Sequence, residues 1–189
     1  IEECMLLANV AAAEYSLEHD IPMLYRVHEA PEFSRIQKVR DFVKLLGLPF
    51  PEQPTQADYQ RVIEATKDRL DAPSIHAVLL RSMMQAYYGA NNAGHYGLAY
   101  EAYTHFTSPI RRYPDLLLHR AIKAYLDKKA YPLSGAALDD AGEHFSQTER
   151  RADEASRSVT TWLKCHYMQQ HLGDEFVGII SAVTEFGLF

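Results

Sequence analysis

Hydrophobic residues recur at helical spacing along most of the chain. Ile1, Met5, Ala8 and Ala12 follow one another at steps of four, three and four, which predicts a helix over residues 1–19. Further apolar positions widen this stripe, so we expect the helix to be buried on most sides. The same periodicity and its start and stop signals predict five more helices, over residues 36–46, 55–70, 74–88, 108–127 and 136–170.

Segments rich in strand-forming residues separate some of these helices. Residues 23–28 alternate loosely and predict one short strand, and residues 95–106 alternate and predict a strand or the edge of a hairpin. From residue 173 the apolar period changes to two, which predicts a strand followed by a turn over residues 184–187. The predicted fold class is therefore α+β and mostly helical.

Composition and charge narrow the functional classes. The 189 residues are 47% hydrophobic and 23% charged, which is the balance of a folded globular chain. The net charge of −6 does not favour non-specific nucleic-acid binding by the whole surface, so any such binding depends on locally placed arginines. No apolar run is long enough to span a bilayer, and no secretory signal precedes the first helix, so we expect no membrane association.

The cysteines and the chain ends bear on location and completeness. Cys4 and Cys165 lie far apart in the sequence, and two reduced thiols fit a cytoplasmic protein. The chain begins at Ile1 without a methionine and ends at Phe189 within an apolar pattern. We therefore expect it to be a piece of a longer protein.

The densest group of candidate functional residues is HFTSPIRRYPD, residues 105–115. Ser108 is a good N-cap and is followed by proline, so the pattern predicts a helix N-terminus whose unpaired N–H groups suit a phosphate. Arg111 and Arg112 add guanidinium groups that can bind phosphate oxygens in a bidentate way. Neighbouring side chains are candidates for stacking or hydrogen bonding with a nucleotide: His105, Phe106 and Tyr113.

Two interpretations of these arginines remain open. Asp115 and His119 can orient them towards a phosphate, which makes the segment a binding site. Alternatively, Arg111 and Arg112 pair with acidic residues across a domain contact and have a structural role only.

The first predicted helix carries three further polar candidates. Glu2 and Glu3 lie at its start, where they either complement the helix dipole or accept a hydrogen bond from a sugar hydroxyl. Asn9 lies two turns later among apolar neighbours. A buried amide of this kind either satisfies a backbone group or has a functional role.

The sequence favours no metal site within this chain. The nine histidines include no His-Glu-x-x-His pair, and there is no Cys-x-x-Cys pair. Asp139 and Asp140 form the only adjacent aspartate pair, at a predicted helix start where capping is their expected role.

Four motifs together resemble one known family. EECMLLAN (residues 2–9), YRVH (25–28), HYGLA (95–99) and HFTSPIRRYPD (105–115) follow the same order as in the RNB catalytic domain of the ribonuclease II/R family. RRYPDL and RRADEA, which begin at Arg111 and Arg150, make the pattern more similar to the bacterial ribonuclease R branch than to ribonuclease II.

The resemblance implies a domain organisation. Residues 1–172 are similar to the C-terminal part of an RNB catalytic domain. Residues 173–189 resemble the opening strands of an S1 domain, an OB-type barrel that binds single-stranded RNA, truncated before the barrel can close.

The resemblance also implies an activity and residue roles. The family hydrolyses single-stranded RNA processively from its 3′ end and releases nucleoside 5′-monophosphates, which implies a monomer that contacts RNA 3′ ends. Arg111 matches the catalytic arginine, and Arg112 a supporting phosphate contact. Glu3, or else Glu2, matches the acid that binds the ribose 2′-hydroxyl. The remaining candidates line the RNA channel: His105, Phe106, Tyr113 and His95.

The chain departs from the family pattern in one respect. The family holds Mg²⁺ with an aspartate cluster upstream of the Glu-Glu helix, and this chain has no equivalent. We therefore expect the full-length protein to use Mg²⁺ through ligands outside this chain, and the chain alone to be catalytically incomplete.

Two alternatives to an active nuclease remain open. One is an RNA-binding or regulatory relative that has lost hydrolysis. The other is a helical interaction module whose arginines dock an acidic partner.

Overall fold

The structure is a computed structural model that describes residues 1–178, 180 and 183–188. It divides into two compact units, residues 1–147 and 148–189. The first unit is mostly helical, as predicted, and contains one two-stranded antiparallel sheet. Its elements in chain order are α1 (Glu2–Glu18), β1 (Tyr25–Val27), α2 (Phe33–Leu45), α3 (Gln56–Thr66), α4 (Ala72–Ser82), β2 (Tyr87–Gly89), α5 (Tyr113–Leu126) and the start of α6 (Ala136–Met168).

Helix α1 forms where the sequence predicts it, but it is buried on one face only. The buried positions are Asn9, Ala12, Ala13 and Ser16, which recur at steps of three, one and three along the helix. The predicted burial on most sides is wrong, because Leu7 is 65% exposed. The apolar residues of the first two turns thus have less contact with the rest of the chain than their hydrophobicity suggests.

Helices α2, α3 and α4 enclose a separate hydrophobic cluster. The turn after α2 places Gly47 at φ +74°, a left-handed conformation that glycine adopts without strain. The side chain of Asp58 accepts hydrogen bonds from the Thr55 backbone N–H and hydroxyl, both at 2.7 Å, at the start of α3. Seven buried residues form this cluster: Val39, Val43, Phe50, Tyr59, Val62, Ile75 and Leu79.

Helix α4 differs from the prediction at both ends. It begins at Ala72, so Pro73 lies in its first turn, where a missing N–H is tolerated, and does not separate two helices. It ends at Ser82, and the predicted continuation to residue 88 is wrong because residues 87–89 form β2. Strand β2 pairs antiparallel with β1, with Arg26 opposite Tyr88.

Strand β1 joins the second hydrophobic cluster. Tyr25 and Val27 face this cluster, together with Ala12 and Ala13 of α1 and Leu118 of α5. The backbone N–H of Arg26 donates to the Tyr103 carbonyl at 2.8 Å, which ties the segment after residue 100 to the sheet.

The predicted strand over residues 95–106 is wrong. His95 forms only isolated bridges to His28 and Tyr100, and residues 96–98 form one 3-10 turn. Ala99 then takes a left-handed conformation with φ +58°, which reverses the chain and prevents a continuous strand.

The N-cap of helix α5 is Arg112, four residues later than the predicted N-cap at Ser108. Ser108 to Arg112 form a turn in which the Ser108 carbonyl accepts the N–H groups of Arg111 and Arg112, and Arg112 is extended. Pro114 explains the difference, because in a continuous helix its ring would clash with the Ile110 carbonyl. Pro114 instead lies in the first turn of α5, where its missing N–H is tolerated.

The start of α6 packs closely against β2. Gly142 is buried, and a Cβ atom at this position would lie 2.8 Å from the Tyr88 carbonyl oxygen. The Ser146 hydroxyl accepts the Tyr88 backbone N–H at 2.9 Å, and it donates to the Gly142 carbonyl.

The second unit contains the remainder of α6 and a short hairpin. Strands β3 (Val183–Thr184) and β4 (Gly187–Leu188) pair antiparallel through the predicted turn. The predicted strand that begins near residue 173 is not formed over residues 174–178, and residues 179, 181 and 182 lie outside the described part. Within the described residues, no helix has both the length and the apolar content needed to cross a membrane.

Candidate nucleic-acid interface

The arginine segment, residues 105–112, is fixed on one side by α1. The Asn9 side-chain oxygen accepts the backbone N–H groups of Phe106 at 2.9 Å and Thr107 at 3.2 Å. The Asn9 amide nitrogen donates to the Tyr103 hydroxyl at 3.0 Å. Asn9 is only 4% exposed, so its polar groups are satisfied by these partners instead of water.

Helix α5 fixes the same segment on the other side. Asp115 Oδ1 accepts the Ser108 backbone N–H at 2.8 Å and also the Nη2 of Arg112 at 2.8 Å. His119 Nε2 donates to the Phe106 carbonyl at 2.9 Å, since a carbonyl oxygen can only accept. The sequence-based expectation that Asp115 orients an arginine agrees with this contact, whereas His119 binds the backbone of the segment.

The two arginines lie in different environments. The Arg112 side chain is 19% exposed and pairs with the fully buried Asp115. Arg111 is exposed, and within the described part of the chain its guanidinium has no hydrogen-bond or ion-pair partner. The purely structural interpretation therefore fits Arg112 but not Arg111, whose charge is available to a ligand.

His105 lies in a cluster of rings and guanidinium groups. Its Nδ1 shares a hydrogen bond with the Tyr88 hydroxyl at 2.9 Å, and its ring contacts Tyr103 edge-on. The Arg26 guanidinium lies 4.6 Å from the centre of the Tyr88 ring. Burial, followed by the positive charges of Arg112 and Arg26, lowers the pKa of His105 to about 3. His105 is therefore a neutral hydrogen-bonding group at physiological pH.

His95 extends this cluster towards a surface cleft. Its ring contacts Tyr103 edge-on at 5.2 Å and stacks on His28 at 5.1 Å. Burial and then the charge of His28 lower the pKa of His95 to about 4. The cleft beside the two histidines has a volume of about 350 Å³ and is also lined by Gln56 and Glu101.

The two aromatic candidates differ in their availability for stacking. The Phe106 ring already stacks on His119, with centroids 4.1 Å apart and planes 2° from parallel. Tyr113 is 50% exposed, and its hydroxyl accepts a hydrogen bond from Arg120. The Arg120 guanidinium also lies over the Tyr113 ring at 5.8 Å, and Phe145 contacts this ring at 5.4 Å. Phe106 contributes mainly to the internal packing of the segment.

The predicted acidic residues lie at the exposed beginning of α1. Glu2 and Glu3 occupy its first turn, and within the described residues neither forms a hydrogen bond or ion pair with the arginine segment. They are connected to the segment indirectly, because Asn9 on the same helix binds Phe106 and Thr107.

The His, Cys, Asp and Glu side chains of the described residues do not form a cluster. Among them, no group of three or more His, Cys, Asp or Glu side chains converges closely enough to hold a metal ion. The acidic residue nearest in sequence to the arginines, Asp115, is buried, and its Oδ1 accepts the hydrogen bonds from Arg112 and Ser108.

Sequence reasoning missed three members of the site. Tyr103 contacts both Asn9 and His95. Tyr88 shares a hydrogen bond with His105, and Arg26 lies over the Tyr88 ring. The alternation that placed Tyr103 and His105 on one side of an extended segment was the available signal for Tyr103. Nothing local indicated Tyr88 or Arg26, because their placement depends on pairing between β1 and β2.

The family is established by comparison with known proteins. The family model described as the RNB domain matches residues 1–128, which is more than half of the chain. This chain belongs to the RNB domain family. The resemblance of its motifs to that family is confirmed.

Individual RNB relatives share both sequence and fold with the chain. Ribonuclease R of Vibrio parahaemolyticus is 50% identical over 203 aligned residues, covering 100% of this chain and 24% of that protein. The structure of Mycoplasma genitalium RNase R in complex with ribose methylated single-stranded RNA superposes with a TM-score of 0.90 at 29% identity. That match covers 100% of this chain and 31% of the other. The chain spans about a quarter of the length of the curated relatives it matches.

A further structural relative has a different description. Yeast Ssd1, a pseudonuclease, superposes with a TM-score of 0.67 at 27% identity, covering 76% of this chain and 18% of that protein. The fold is therefore shared by proteins described as nucleases and by one described as a pseudonuclease.

Proposed function

We propose that this chain is part of a processive exoribonuclease that hydrolyses single-stranded RNA from its 3′ end and releases nucleoside 5′-monophosphates. The observation that carries the proposal is the exposed guanidinium of Arg111, which has no hydrogen-bond or ion-pair partner among the described residues. It lies on a segment held by Asn9, Asp115 and His119. The similarity to ribonuclease R proteins, one of them solved with single-stranded RNA, supports the choice of substrate.

Arg111 is the catalytic residue in this proposal. Negative charge grows on the phosphoryl oxygens in the transition state, and a fixed guanidinium stabilises that charge. Arg112 keeps the turn in place through Asp115, while its remaining N–H groups can contact a neighbouring phosphate. The neutral His105, with His95 and Tyr113, lines the path of the RNA.

Glu3 is proposed to select RNA over DNA. A carboxylate that accepts a hydrogen bond from the ribose 2′-hydroxyl loses that bond with a deoxyribose. Glu2 is the adjacent alternative, and both side chains are exposed at the start of α1.

Mg²⁺ is proposed to bind to residues outside this chain, in line with the lack of a ligand cluster among the described residues. When bound, divalent ions activate water and stabilise the leaving oxygen in phosphodiester hydrolysis. The contribution of this chain is the positioning of Arg111, the RNA contacts and the orientation of the ribose.

The domain organisation and location are proposals as well. Residues 1–172 are assigned to the catalytic domain and residues 173–189 to the start of an S1 domain, to which the β3–β4 hairpin belongs. Two exposed free thiols, Cys4 and Cys165, are compatible with a monomeric cytoplasmic protein.

A second candidate function is RNA binding without hydrolysis, which the similarity to the pseudonuclease Ssd1 favours. One experiment separates the two. The full-length protein and the 189-residue chain are each incubated with a labelled single-stranded RNA, with and without Mg²⁺. The proposal predicts metal-dependent release of mononucleotides by the full-length protein only. RNA binding without release by the full-length protein would favour the second function.

A further inference from the structure

We infer that Asn9 is a positioning residue that holds the arginine segment in the geometry in which Arg111 reaches the scissile phosphate. This inference rests on the proposed function and deepens it, because it assigns a role in turnover to a residue that touches neither RNA nor metal. It follows from the hydrogen bonds that Asn9 makes and from the connection between those bonds and Arg111.

Asn9 is the only side chain of α1 that bonds to the segment in the described part of the chain. Its Oδ1 accepts two consecutive backbone N–H groups, those of Phe106 and Thr107. Its Nδ2 donates to Tyr103, which fixes the plane of the amide and keeps Oδ1 directed at the segment. An aliphatic residue would leave these two part-buried N–H groups without the acceptor that Asn9 provides.

A series of backbone hydrogen bonds connects Arg111 with the residues that Asn9 binds. After Phe106 and Thr107, the third consecutive N–H, that of Ser108, donates to Asp115. The Ser108 carbonyl then accepts the Arg111 N–H at 3.3 Å and the Arg112 N–H at 3.1 Å. The backbone segment that carries Arg111 is therefore held by hydrogen bonds to Asn9 of α1 and to Asp115 of α5.

Arg112 and Arg111 depend on this arrangement to different degrees. Arg112 has its own ion pair with Asp115, so its position is maintained if the contact with α1 is lost. Arg111 has an exposed side chain and is located by the backbone turn alone. Loosening the turn should therefore affect turnover more than RNA binding, since a displacement of about 1 Å can cost 10²-fold in rate.

The same helix carries Glu2 and Glu3 in its first turn. Asn9 thus connects the helix that bears the proposed ribose-binding acid to the segment that bears the proposed catalytic arginine.

The test is a double-mutant cycle in the full-length protein. Asn9→Ala, Arg111→Ala and the double variant are compared by single-turnover RNA degradation, by RNA affinity without divalent ions, and by melting temperature. Asn9→Asp is the conservative variant, because its carboxylate can still accept the N–H groups of Phe106 and Thr107. Tyr103→Phe removes only the hydroxyl that orients Asn9. This variant replaces Asn9→Ala in the comparison if Asn9→Ala does not fold.

Val43→Ala is the stability control. Val43 is fully buried in the cluster of α2, α3 and α4, so its truncation lowers the melting temperature without touching the arginine segment. A loss of turnover caused by general destabilisation would appear in this variant too.

We expect Asn9→Ala to lower the single-turnover rate by about tenfold to 10²-fold with affinity changed by less than about threefold. Asn9→Asp should recover most of this loss, and Tyr103→Phe should show a smaller loss in the same direction. In the Arg111→Ala background, Asn9→Ala should lower the rate further by less than about twofold, because the arginine it positions is gone.

Two results would overturn the inference while leaving the proposed function intact. The first is a full, multiplicative effect of Asn9→Ala in the Arg111→Ala background. The second is a rate loss in Val43→Ala equal to that in Asn9→Ala at the same decrease in melting temperature. By contrast, a wild-type protein that leaves RNA intact would overturn the proposed function and the inference together.

Discussion

Arg112 donates two hydrogen bonds to a single carboxylate oxygen of Asp115, at 2.8 Å from Nη2 and 3.2 Å from Nε. Asp115 is completely buried, and the same oxygen also accepts the Ser108 backbone N–H. The neighbouring Arg111 is exposed and has no such acceptor among the described residues. Arg112 therefore stabilises the turn, whereas the exposed guanidinium of Arg111 is left for the phosphate contact proposed above.

This ion pair predicts a large effect of removing the charge on Asp115. Asp115→Asn weakens the bonds to Arg112 and Ser108, and we expect a loss of about 2 kcal/mol in the free energy of unfolding. Urea denaturation of the chain, followed by circular dichroism, measures this loss. Asp68→Asn is the matched control at an exposed aspartate and should change stability by less than about 0.5 kcal/mol. Equal stabilities of the two variants would contradict the structural role of the pair.

The partly buried His95 and His105 predict that acid lowers the stability of the chain. The pKa of His105 is about 3 and that of His95 about 4, both below the usual value of 6.5. At pH values between the folded and unfolded pKa values, the unfolded chain therefore binds more protons than the folded chain. The stability that these neutral histidines contribute is complete above about pH 6.5 and is lost as the pH falls towards the folded pKa values.

His105→Gln should therefore flatten the decline in stability between about pH 6.5 and pH 4. Urea unfolding midpoints across this range measure the slope. His166→Gln, at an exposed position of α6, is the control and should retain the wild-type slope. An unchanged slope in His105→Gln would mean that His105 is not kept neutral by its surroundings.

The close packing around Gly142 predicts that alanine at this position lowers stability, the opposite of what helix propensity alone would give. Alanine normally stabilises a helix interior relative to glycine by about 1 kcal/mol. At Gly142, however, the added Cβ would lie 2.8 Å from the Tyr88 carbonyl oxygen and 3.0 Å from Leu24. We expect Gly142→Ala to destabilise the chain by about 1–3 kcal/mol in urea denaturation. Gly178→Ala, which adds a Cβ in open space, should have little effect, and a stabilised Gly142→Ala would refute the close packing of α6 on β2.

Glu2 and Glu3 form a matched pair for testing recognition of the sugar. In the full-length protein, Glu3→Ala should lower the preference for RNA over DNA by about tenfold, the value of one hydrogen bond to a charged acceptor. Glu2→Ala should change the preference much less. Binding competition between RNA and DNA oligonucleotides of the same sequence provides the measurement. A larger effect of Glu2→Ala would transfer the assignment to Glu2.

Local patterns predicted the elements that depend on local chemistry. The helices α1, α2, α3 and α6 lie close to their predicted positions. The buried face of α1, however, carries Asn9 and Ser16, while Ile1 and Met5 of the predicted apolar stripe are exposed.

Two predictions failed for different reasons. Residues 87–89 have a helical pattern but pair with β1, which is a long-range contact. Ser108 is a residue type that favours an N-cap, but Pro114 prevents a continuous helix and α5 begins only at Tyr113.

The residues of the candidate site that are close in sequence could be predicted, whereas those brought together by long-range contacts could not. The arginines and His105 stand together in one motif, so the sequence could identify them as a group. The contacts of Asn9 with residues almost a hundred positions away are long-range, and no spacing rule gives them. The distinction between Arg111 and Arg112 also required the structure, because it depends on the burial of Asp115.

The most direct test of the central claim is the turnover of Arg111→Ala in the full-length protein, with RNA affinity measured in parallel. Arg81→Ala, at an exposed arginine of α4, is the control. Arg111→Ala should lower turnover by at least about 10²-fold and leave RNA affinity largely intact, while Arg81→Ala should change neither. Equal losses of affinity and turnover, or no loss at all, would contradict a role for Arg111 in stabilising the transition state.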